Sequence, residues 1–311
     1  MEKQTVKALY DYFPLDEKNN FFPSYLYLKY IDYFLNQVVQ SLGIPTKEVP
    51  YQLGEDLDNM MNMYIQQISE AAPSAETSIY HAKVVRLQEA VKLMTQKEDI
   101  SIDVPERVVP FKHAKDIILQ NPGSIALGVC ACRAASLEPC LPEGQQEVCM
   151  FIGDPVAPFM IEHNQIFRQS SQEEAVKVLE SAHEKGFVHT AWFKREIGNC
   201  FHMICNCCSC CCMGIKMWNL LEGTIPIMAP SGYVAEVTDE CVACGICVDE
   251  SFCHFNAISM SDDGSKAIID FAKCMGCGVC ADRCPESAIS LRRESSKGEP
   301  LDIDELLSQQ A

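Results

Sequence analysis

The residues with the clearest chemistry in this chain are eight cysteines near its C-terminal end, arranged in two runs. In each run three cysteines are spaced by two residues, and a fourth follows a few positions later. This spacing is typical of a cubane iron–sulfur cluster, because one short loop can hold three corners of the cube while the fourth thiolate comes from elsewhere. Zinc sites favour pairs of this spacing rather than triplets. The two runs are Cys241, Cys244, Cys247 and Cys253, followed by Cys274, Cys277, Cys280 and Cys284.

Where two such runs occur together, the fourth cysteine of each normally binds the other cluster. We therefore assign Cys284 to the cluster of the first triplet and Cys253 to the cluster of the second. This is the pattern of bacterial dicluster ferredoxins, and residues 233–294 resemble that family. The two runs also form an internal repeat in which each half reads as a cluster loop, a short helix and a strand. The resemblance implies two [4Fe–4S] clusters in a ferredoxin-like module with a βαβ repeat.

The first run departs from the family pattern in its last part. Five residues precede Cys253 where three are usual, and His254 stands where proline is usual. The longer loop carries a ligand of the second cluster. Because exposure and nearby hydrogen bonds set the reduction potential of a cluster, we expect the two clusters to differ in potential.

Composition restricts the class of protein. The chain has 311 residues, 19 cysteines and a formal net charge of −18. Such a charge argues against a nucleic-acid partner, since phosphate would be repelled. There is no signal-peptide pattern at the N-terminus and no apolar run of about 18 residues, the length of a membrane span. We therefore expect a cytoplasmic protein of an anaerobic cell, with thiolates that bind metal rather than form disulfides.

Periodicity and composition predict an α+β chain of several regions. They are an N-terminal helical region at residues 1–104, a cysteine-rich α/β iron–sulfur domain at 105–222, a 2[4Fe–4S] ferredoxin domain at 233–295 and an acidic tail at 296–311. Proline and glycine in Thr224–Gly232 indicate a linker before the ferredoxin domain. The tail carries a short amphipathic stretch that either contacts a partner or packs as a terminal helix.

Helical spacing of apolar residues predicts three amphipathic helices in the first region, at residues 28–42, 57–68 and 80–94. They would form a small bundle or a docking layer. In the next region we predict a helix over His113–Gln120 and a buried strand over Ser124–Val129. The capping box Ser171–Glu174 predicts the start of another helix, which Gly186 closes, and a strand follows over Phe187–Thr190.

Eleven further cysteines do not have the ferredoxin spacing. They are Cys130, Cys132, Cys140, Cys149, Cys200, Cys205, Cys207, Cys208, Cys210, Cys211 and Cys212. Their order, CxCR…C…CM…ICNCCxCCC, resembles a cysteine-rich domain that precedes a dicluster ferredoxin module in little-characterised iron–sulfur proteins of anaerobic bacteria and archaea. The resemblance covers residues 105–295 and implies one or two further iron–sulfur clusters. All of these cysteines except Cys200 are candidate ligands.

The sequence leaves the grouping of these cysteines open. Adjacent cysteines point in different directions, so the dense run at residues 205–212 suits two metal centres better than one; if it is helical, Cys205, Cys208 and Cys212 share a face. The widely spaced set at 130, 132, 140 and 149 has the right number of thiolates for one cluster, and the sets can also mix. Soft metals such as zinc or Cu(I), redox-active disulfides and buried spare cysteines are alternatives. Arg133 either offsets cluster charge or forms a surface salt bridge.

These observations favour a multi-cluster electron-transfer protein in which no side chain acts as acid, base or nucleophile. It would relay low-potential electrons between a donor, such as a ferredoxin or flavoprotein, and a partner oxidoreductase in anaerobic metabolism. One alternative is an iron–sulfur reductase with its own substrate-binding cluster in the dense-cysteine region. Another is a scaffold or redox sensor whose N-terminal helices dock a partner.

Overall fold

The computed structural model describes residues 3–41, 43–71, 80–111, 116–194, 197–198, 200–223, 227–249 and 252–310. The N-terminal region forms helices α1 (Gln4–Tyr12), α2 (Phe21–Lys29), α3 (Ile31–Ser41) and α4 (Glu55–Ala71). Two of the three predicted helices are thereby confirmed, with a break at Tyr30 that separates α2 from α3. Their apolar faces are buried in the same core as the cysteine-rich domain. For example, the Asn164 side chain donates a hydrogen bond of 2.9 Å to the carbonyl oxygen of Leu28.

A mixed sheet of eight strands forms the centre of the described structure. The strands are β1 (Tyr80–Val85), β2 (Ile100–Asp103), β3 (Asp116–Val129), β4 (Glu147–Asp154), β5 (Phe167–Ser170), β6 (Val188–Lys194), β7 (Cys200–Cys207) and β8 (Met228–Ala229). Their order is β2-β3-β4-β7-β6-β1-β8, with β5 paired to β3. The helices of this region are α5 (Leu87–Met94), α6 (Ala131–Ala135), α7 (Val156–His163), α8 (Gln172–Glu184) and α9 (Met213–Leu220).

Two predicted helices are wrong. Residues 80–85 form strand β1, which pairs antiparallel with β6, and only Leu87–Met94 of the predicted segment is helical. The described part of the predicted helix over His113–Gln120 begins strand β3 at Asp116, while residues 113–115 lie outside the described residues. In both segments, pairing with neighbouring strands outweighs a short helical pattern, because β-structure depends on context more than on local preference.

Other predictions of local structure are confirmed. The Ser171 side chain accepts a hydrogen bond of 3.1 Å from the backbone N–H of Glu174 and caps α8, which is one of the two hydrogen bonds of a capping box. Gly186 follows the helix with a φ of 82°, a conformation that favours glycine. The strand at Ser124–Val129 is the second half of β3, and the strand predicted over 187–190 is the start of β6.

The predicted linker is more structured than its composition suggests. Residues 224–226 lie outside the described residues, but Met228–Ala229 form β8 and pair in parallel with β1 at Ala82 and Lys83. The segment that leads to the ferredoxin domain is therefore an edge strand of the central sheet.

The C-terminal region contains two antiparallel strand pairs, in agreement with the internal repeat in its sequence. Its elements are β9 (Tyr233–Val237), β10 (Ile258–Met260), β11 (Ala267–Ile269), α10 (Val279–Arg283), β12 (Ile289–Arg293) and α11 (Ile303–Gln310). Strand β9 pairs with β12, and β10 pairs with β11, both antiparallel. In the tail, Leu301, Ile303 and Leu306 are buried against the core that contains α5, and Lys92 forms an ion pair of 2.8 Å with Asp302. The tail therefore packs as a terminal helix.

None of the helices formed by the described residues is both long enough and apolar enough to cross a membrane.

Candidate metal centres

The first cysteine triplet of the C-terminal region surrounds a cavity of about 390 Å³. The cysteines that line it are Cys241, Cys244, Cys247 and Cys284. The last of these comes from the second run, at the C-terminal end of α10. Burial raises the pKa of Cys247, and the nearby thiolate charges of Cys241, Cys244 and Cys284 raise it further. The structure thus brings Cys284 of the second run together with the three cysteines of the first triplet, the crossed set predicted from the sequence.

The other four cysteines of this region form a second, more buried group. Burial raises the pKa of the Cys280 thiol well above its usual range, and the charges of Cys277, Cys274 and Cys253 add to this effect. Backbone N–H groups point at two of the sulfurs: Ala235 donates to Cys274 at 3.4 Å, and Ala257 donates to Cys253 at 3.3 Å. Such hydrogen bonds to cluster sulfurs are one of the means by which a protein tunes reduction potential.

A glycine makes the second cysteine loop possible. Gly276, next to Cys277, has a φ of 65°, and a Cβ atom there would lie 2.2 Å from the carbonyl oxygen of Tyr233. The loop therefore approaches strand β9 more closely than any other residue type would permit.

The donors in both groups fit iron–sulfur clusters. Each group offers four thiols, the number of corners of one cubane. Burial raises the pKa of Cys277 to about 12, so this thiol would stay protonated at neutral pH unless a metal bound it. Metal coordination deprotonates a thiol outright and offsets the charge that burial disfavours. The second group is therefore chemically suited to metal and poorly suited to free thiolates.

Comparison with known proteins agrees with this geometry. Residues 240–299 match the family described as 4Fe-4S dicluster domain. The chain carries an iron–sulfur module of the ferredoxin type. It is also similar to the pyruvate synthase subunit PorD of Methanothermobacter marburgensis, with 38% identity over 56 residues. The matched segment is 18% of this chain and 60% of the relative, so the chain spans less than two thirds of that protein. No solved structure matches the chain significantly.

Outside this dicluster domain, seven cysteines line one cavity of about 550 Å³, and one of them, Cys208, also belongs to the second group described below. We call the other six the cavity cysteines: Cys130, Cys132, Cys149, Cys205, Cys207 and Cys212. Their thiols form a closed ring in which each interacts with two others, in the order 130, 132, 212, 207, 205 and 149. Two of the separations are 3.9 Å, between the sulfurs of Cys149 and Cys205, and 3.2 Å, between those of Cys207 and Cys212.

The central sheet explains why these cysteines meet. Cys205 and Cys207 are two residues apart on β7, so their side chains point to the same face of the sheet. Cys149 on β4 lies directly opposite Cys205 in the antiparallel register. The intervening Asn206 points the other way, donating a hydrogen bond to the carbonyl oxygen of Val148 at 2.8 Å. The remaining three cysteines come from the ends of α6 and α9, where the chain enters each helix.

N-terminal helix α3 closes one wall of this cavity. Ile31 and Leu35 line it together with Phe167, Trp192 and Met203. The apolar wall excludes water from the thiols, which is what a cluster needs for protection. Helix α3 is therefore part of the site, which argues against a role of this helix as a free docking surface.

The other three cysteines of the dense run form a second group together with Cys140, and we call this group the four-thiol site. It consists of Cys140, Cys208, Cys210 and Cys211, whose sulfurs all lie within 4.8 Å of one another. The dense run is strand and turn rather than helix, because β7 ends at Cys207 and α9 begins at Met213. The widely spaced and dense sets therefore mix, one of the possibilities that the sequence left open. Cys200 belongs to neither group and donates instead to the carbonyl oxygen of Gly198 at 3.1 Å.

Arg133 lies between the two groups and is 1% exposed. Its guanidinium donates to the sulfur of Cys140 at 3.3 Å and to that of Cys208 at 3.4 Å. A third bond, of 2.8 Å, goes to the backbone carbonyl of Asn206, between two cavity cysteines. This position excludes a surface salt bridge and supports the other interpretation, that the cation offsets the charge of thiolates.

His254 joins the dicluster domain to the four-thiol site, a contact that sequence reasoning missed. Its Nδ1 atom accepts a hydrogen bond of 3.1 Å from the backbone N–H of Ser209, which lies between Cys208 and Cys210. Its Nε2 atom donates to the carbonyl oxygen of Gly186 at 2.9 Å. The histidine in place of the usual proline was the signal available in the sequence, and it marks a junction between domains.

The crossed set makes a direct prediction about Cys284→Ala. Because Cys284 lines the cavity of the first triplet, its loss should affect that cluster rather than the cluster of its sequence neighbours. We expect about four of the eight dicluster irons to be lost. The electron paramagnetic resonance spectrum of the reduced variant should match that of Cys244→Ala and differ from that of Cys277→Ala. A spectrum that matches Cys277→Ala and differs from Cys244→Ala would refute crossed ligation. The control is Cys200→Ala, which should lose no iron.

Proposed function

We propose that this chain is an electron relay in which the dicluster domain exchanges electrons with a further iron–sulfur cluster held by the cavity cysteines. When bound, such clusters supply reversible one-electron transfer at low potential. The observation that carries this proposal is the position of the three groups of cysteines. One group of the dicluster domain includes the exposed Cys244, and the other packs against the hydrophobic core that contains several cysteines of the cysteine-rich domain.

The exposed end of the proposed relay is the first group of the dicluster domain, which consists of Cys241, Cys244, Cys247 and Cys284. Cys244 is exposed, whereas Cys247 is buried. Two apolar side chains beside the group are also exposed, Val242 by 62% and Ile246 by 50%. An exposed cluster ringed by apolar side chains on an acidic protein suits transient contact with a redox partner, in which charge steers the encounter.

The second group faces the cysteine-rich domain. Cys253 and Cys277 pack against the same hydrophobic core that holds Cys207, Cys208 and Cys212. His254 extends this contact by its hydrogen bond to Ser209. The second group therefore contacts the core of the cysteine-rich domain, and we infer that it lies on the electron path to the cavity cysteines.

The cavity cysteines support one further cluster. Their cavity is larger than the one that the first group of the dicluster domain surrounds. The six cavity cysteines offer more thiols than the four corners of one cubane require.

The partner we infer is an oxidoreductase of the pyruvate synthase type, acting in anaerobic metabolism, with a ferredoxin or flavoprotein at the other end of the relay. The support is the similarity to a subunit of such an enzyme, limited to 56 residues of this chain. The net charge of −18 favours a basic docking surface on the partner.

Electron transfer within the chain can be tested through the contact between the domains. The variant His254→Ala should keep the iron of the wild type, because His254 is not a ligand. It should slow the passage of electrons from the reduced dicluster domain to the cluster of the cavity cysteines, followed by stopped-flow absorbance and freeze-quenched paramagnetic resonance. His183→Ala removes a histidine of the same interface, bonded to Asp282 at 2.9 Å, and is the matched control. Equal rates in all three proteins would argue against this route.

A reductase with its own substrate site remains the second candidate, favoured by one observation. The cavity cysteines lie among apolar side chains in a space of about 550 Å³ and outnumber the ligands of one cubane. Turnover of a small molecule by the purified protein with an artificial electron donor would support this candidate. Transfer of electrons to a partner protein without such turnover would support the relay.

A further inference from the structure

We propose that the four-thiol site binds a single tetrahedral divalent ion of the zinc and ferrous class, and not an iron–sulfur cluster. The site consists of Cys140, Cys208, Cys210 and Cys211, with Arg133 as its charge partner. This inference concerns a different group of residues from the proposed relay and does not depend on it.

The first argument is the separation of the sulfurs. Cys208 lies 3.5 Å from Cys140 and 3.4 Å from Cys210, sulfur to sulfur. Cys211 lies 3.9 Å from Cys140 and 3.6 Å from Cys210. Four sulfurs held tetrahedrally around one ion at the Zn–S bond length of about 2.3 Å lie about 3.8 Å apart. Four of the six observed separations are close to this value, and the other two are at most 4.8 Å, so the group is compact enough to surround one ion.

The second argument is a comparison within the same molecule. The thiolates of a cubane radiate from four different metal atoms, with the cluster core between them, so they must lie farther apart than ligands of one ion. In the part of the chain that the structure describes, no other group of three or more cysteines has all its sulfurs within 4.8 Å of one another, and this includes both groups of the dicluster domain. The four-thiol site is thus more compact than either group of the dicluster domain.

The third argument is charge. A divalent ion with four thiolates carries a net charge of −2, which is costly to bury without a cation nearby. The guanidinium of Arg133 donates to the sulfurs of Cys140 and Cys208 and reduces this charge. Tetrahedral coordination by four sulfurs, all soft ligands, favours zinc or iron over harder ions.

The test is a count of metal and acid-labile sulfide in protein purified anaerobically from cells supplied with zinc and iron. The double variant Cys140→Ser with Cys210→Ser removes the two exposed ligands. We expect it to lose one metal ion per chain, zinc or iron, with no change in labile sulfide. Cys200→Ser, a cysteine outside both groups, should lose nothing.

Loss of several irons together with an equal number of sulfides would overturn the proposal in favour of a cluster. No loss of metal would overturn it in favour of free thiols. If the double variant fails to fold, native mass spectrometry of the wild-type chain gives the same answer. A mass that the iron–sulfur clusters account for completely rules the single ion out, and one additional metal ion supports it.

Discussion

Replacing Cys149, Cys205 and Cys207 together by alanine is expected to remove one whole cluster and leave the dicluster domain loaded. These residues form one continuous half of the ring of cavity cysteines, and three thiols of the ring remain, since Cys208 belongs to the four-thiol site. Three ligands are too few for the four corners of a cubane. Iron should fall from about twelve atoms in clusters to about eight, with labile sulfide falling in parallel. Iron and sulfide analysis of anaerobic protein measures this directly.

The control for this triple variant is Cys200→Ala. Cys200 is buried on the same strand, β7, but lies outside the ring, so its loss should leave the iron content unchanged. A wild-type chain with no more cluster iron than about eight atoms would contradict the prediction, because the dicluster domain alone accounts for that amount. So would a triple variant that retains all of its iron.

The dicluster domain could be predicted from sequence because its chemistry is local. Three of the four candidate ligands in each group come from one loop, and the spacing of that loop is a signature in itself. The fourth ligand, Cys284 or Cys253, required knowledge of how two such runs combine. The match to a dicluster domain at residues 240–299 agrees with the predicted module.

The cysteine-rich domain could not be resolved in the same way because its groups depend on strand register. Cys149 meets Cys205 only because β4 and β7 pair antiparallel at that position. Cys140 joins Cys208 across a separation of 68 residues. The sequence supplied the candidate ligands, but contacts between distant segments decide which of them share a centre.

The wrong helices have a related cause. Val84, Leu87 and Val91 recur at helical spacing, yet β1 includes the first of them and α5 the other two. A period of three or four over a short segment does not reveal that the chain changes from strand to helix at Arg86. The partner strand β6 decides the outcome, and it lies about a hundred residues away in the sequence.

Arg133→Met is the single substitution outside the cysteines from which we expect the largest effect. The side chain is 1% exposed and donates three hydrogen bonds, two to thiol sulfurs and one to a backbone carbonyl. Removing one member of a buried charged network leaves the opposite charge uncompensated and typically costs about 3 kcal/mol or more. The midpoint of anaerobic thermal unfolding should therefore fall by on the order of 10 °C.

Two further variants separate charge from packing. Arg133→Lys keeps the positive charge but lacks the planar fork of guanidinium donors, so it should recover only part of the lost stability. Arg168→Met removes an exposed arginine that pairs with Glu147 at 2.6 Å, and such surface pairs contribute at most about 1 kcal/mol. If Arg133→Met unfolds at the same temperature as Arg168→Met, the guanidinium does not stabilise the thiolates. If Arg133→Lys is no more stable than Arg133→Met, the geometry of the fork matters more than its charge.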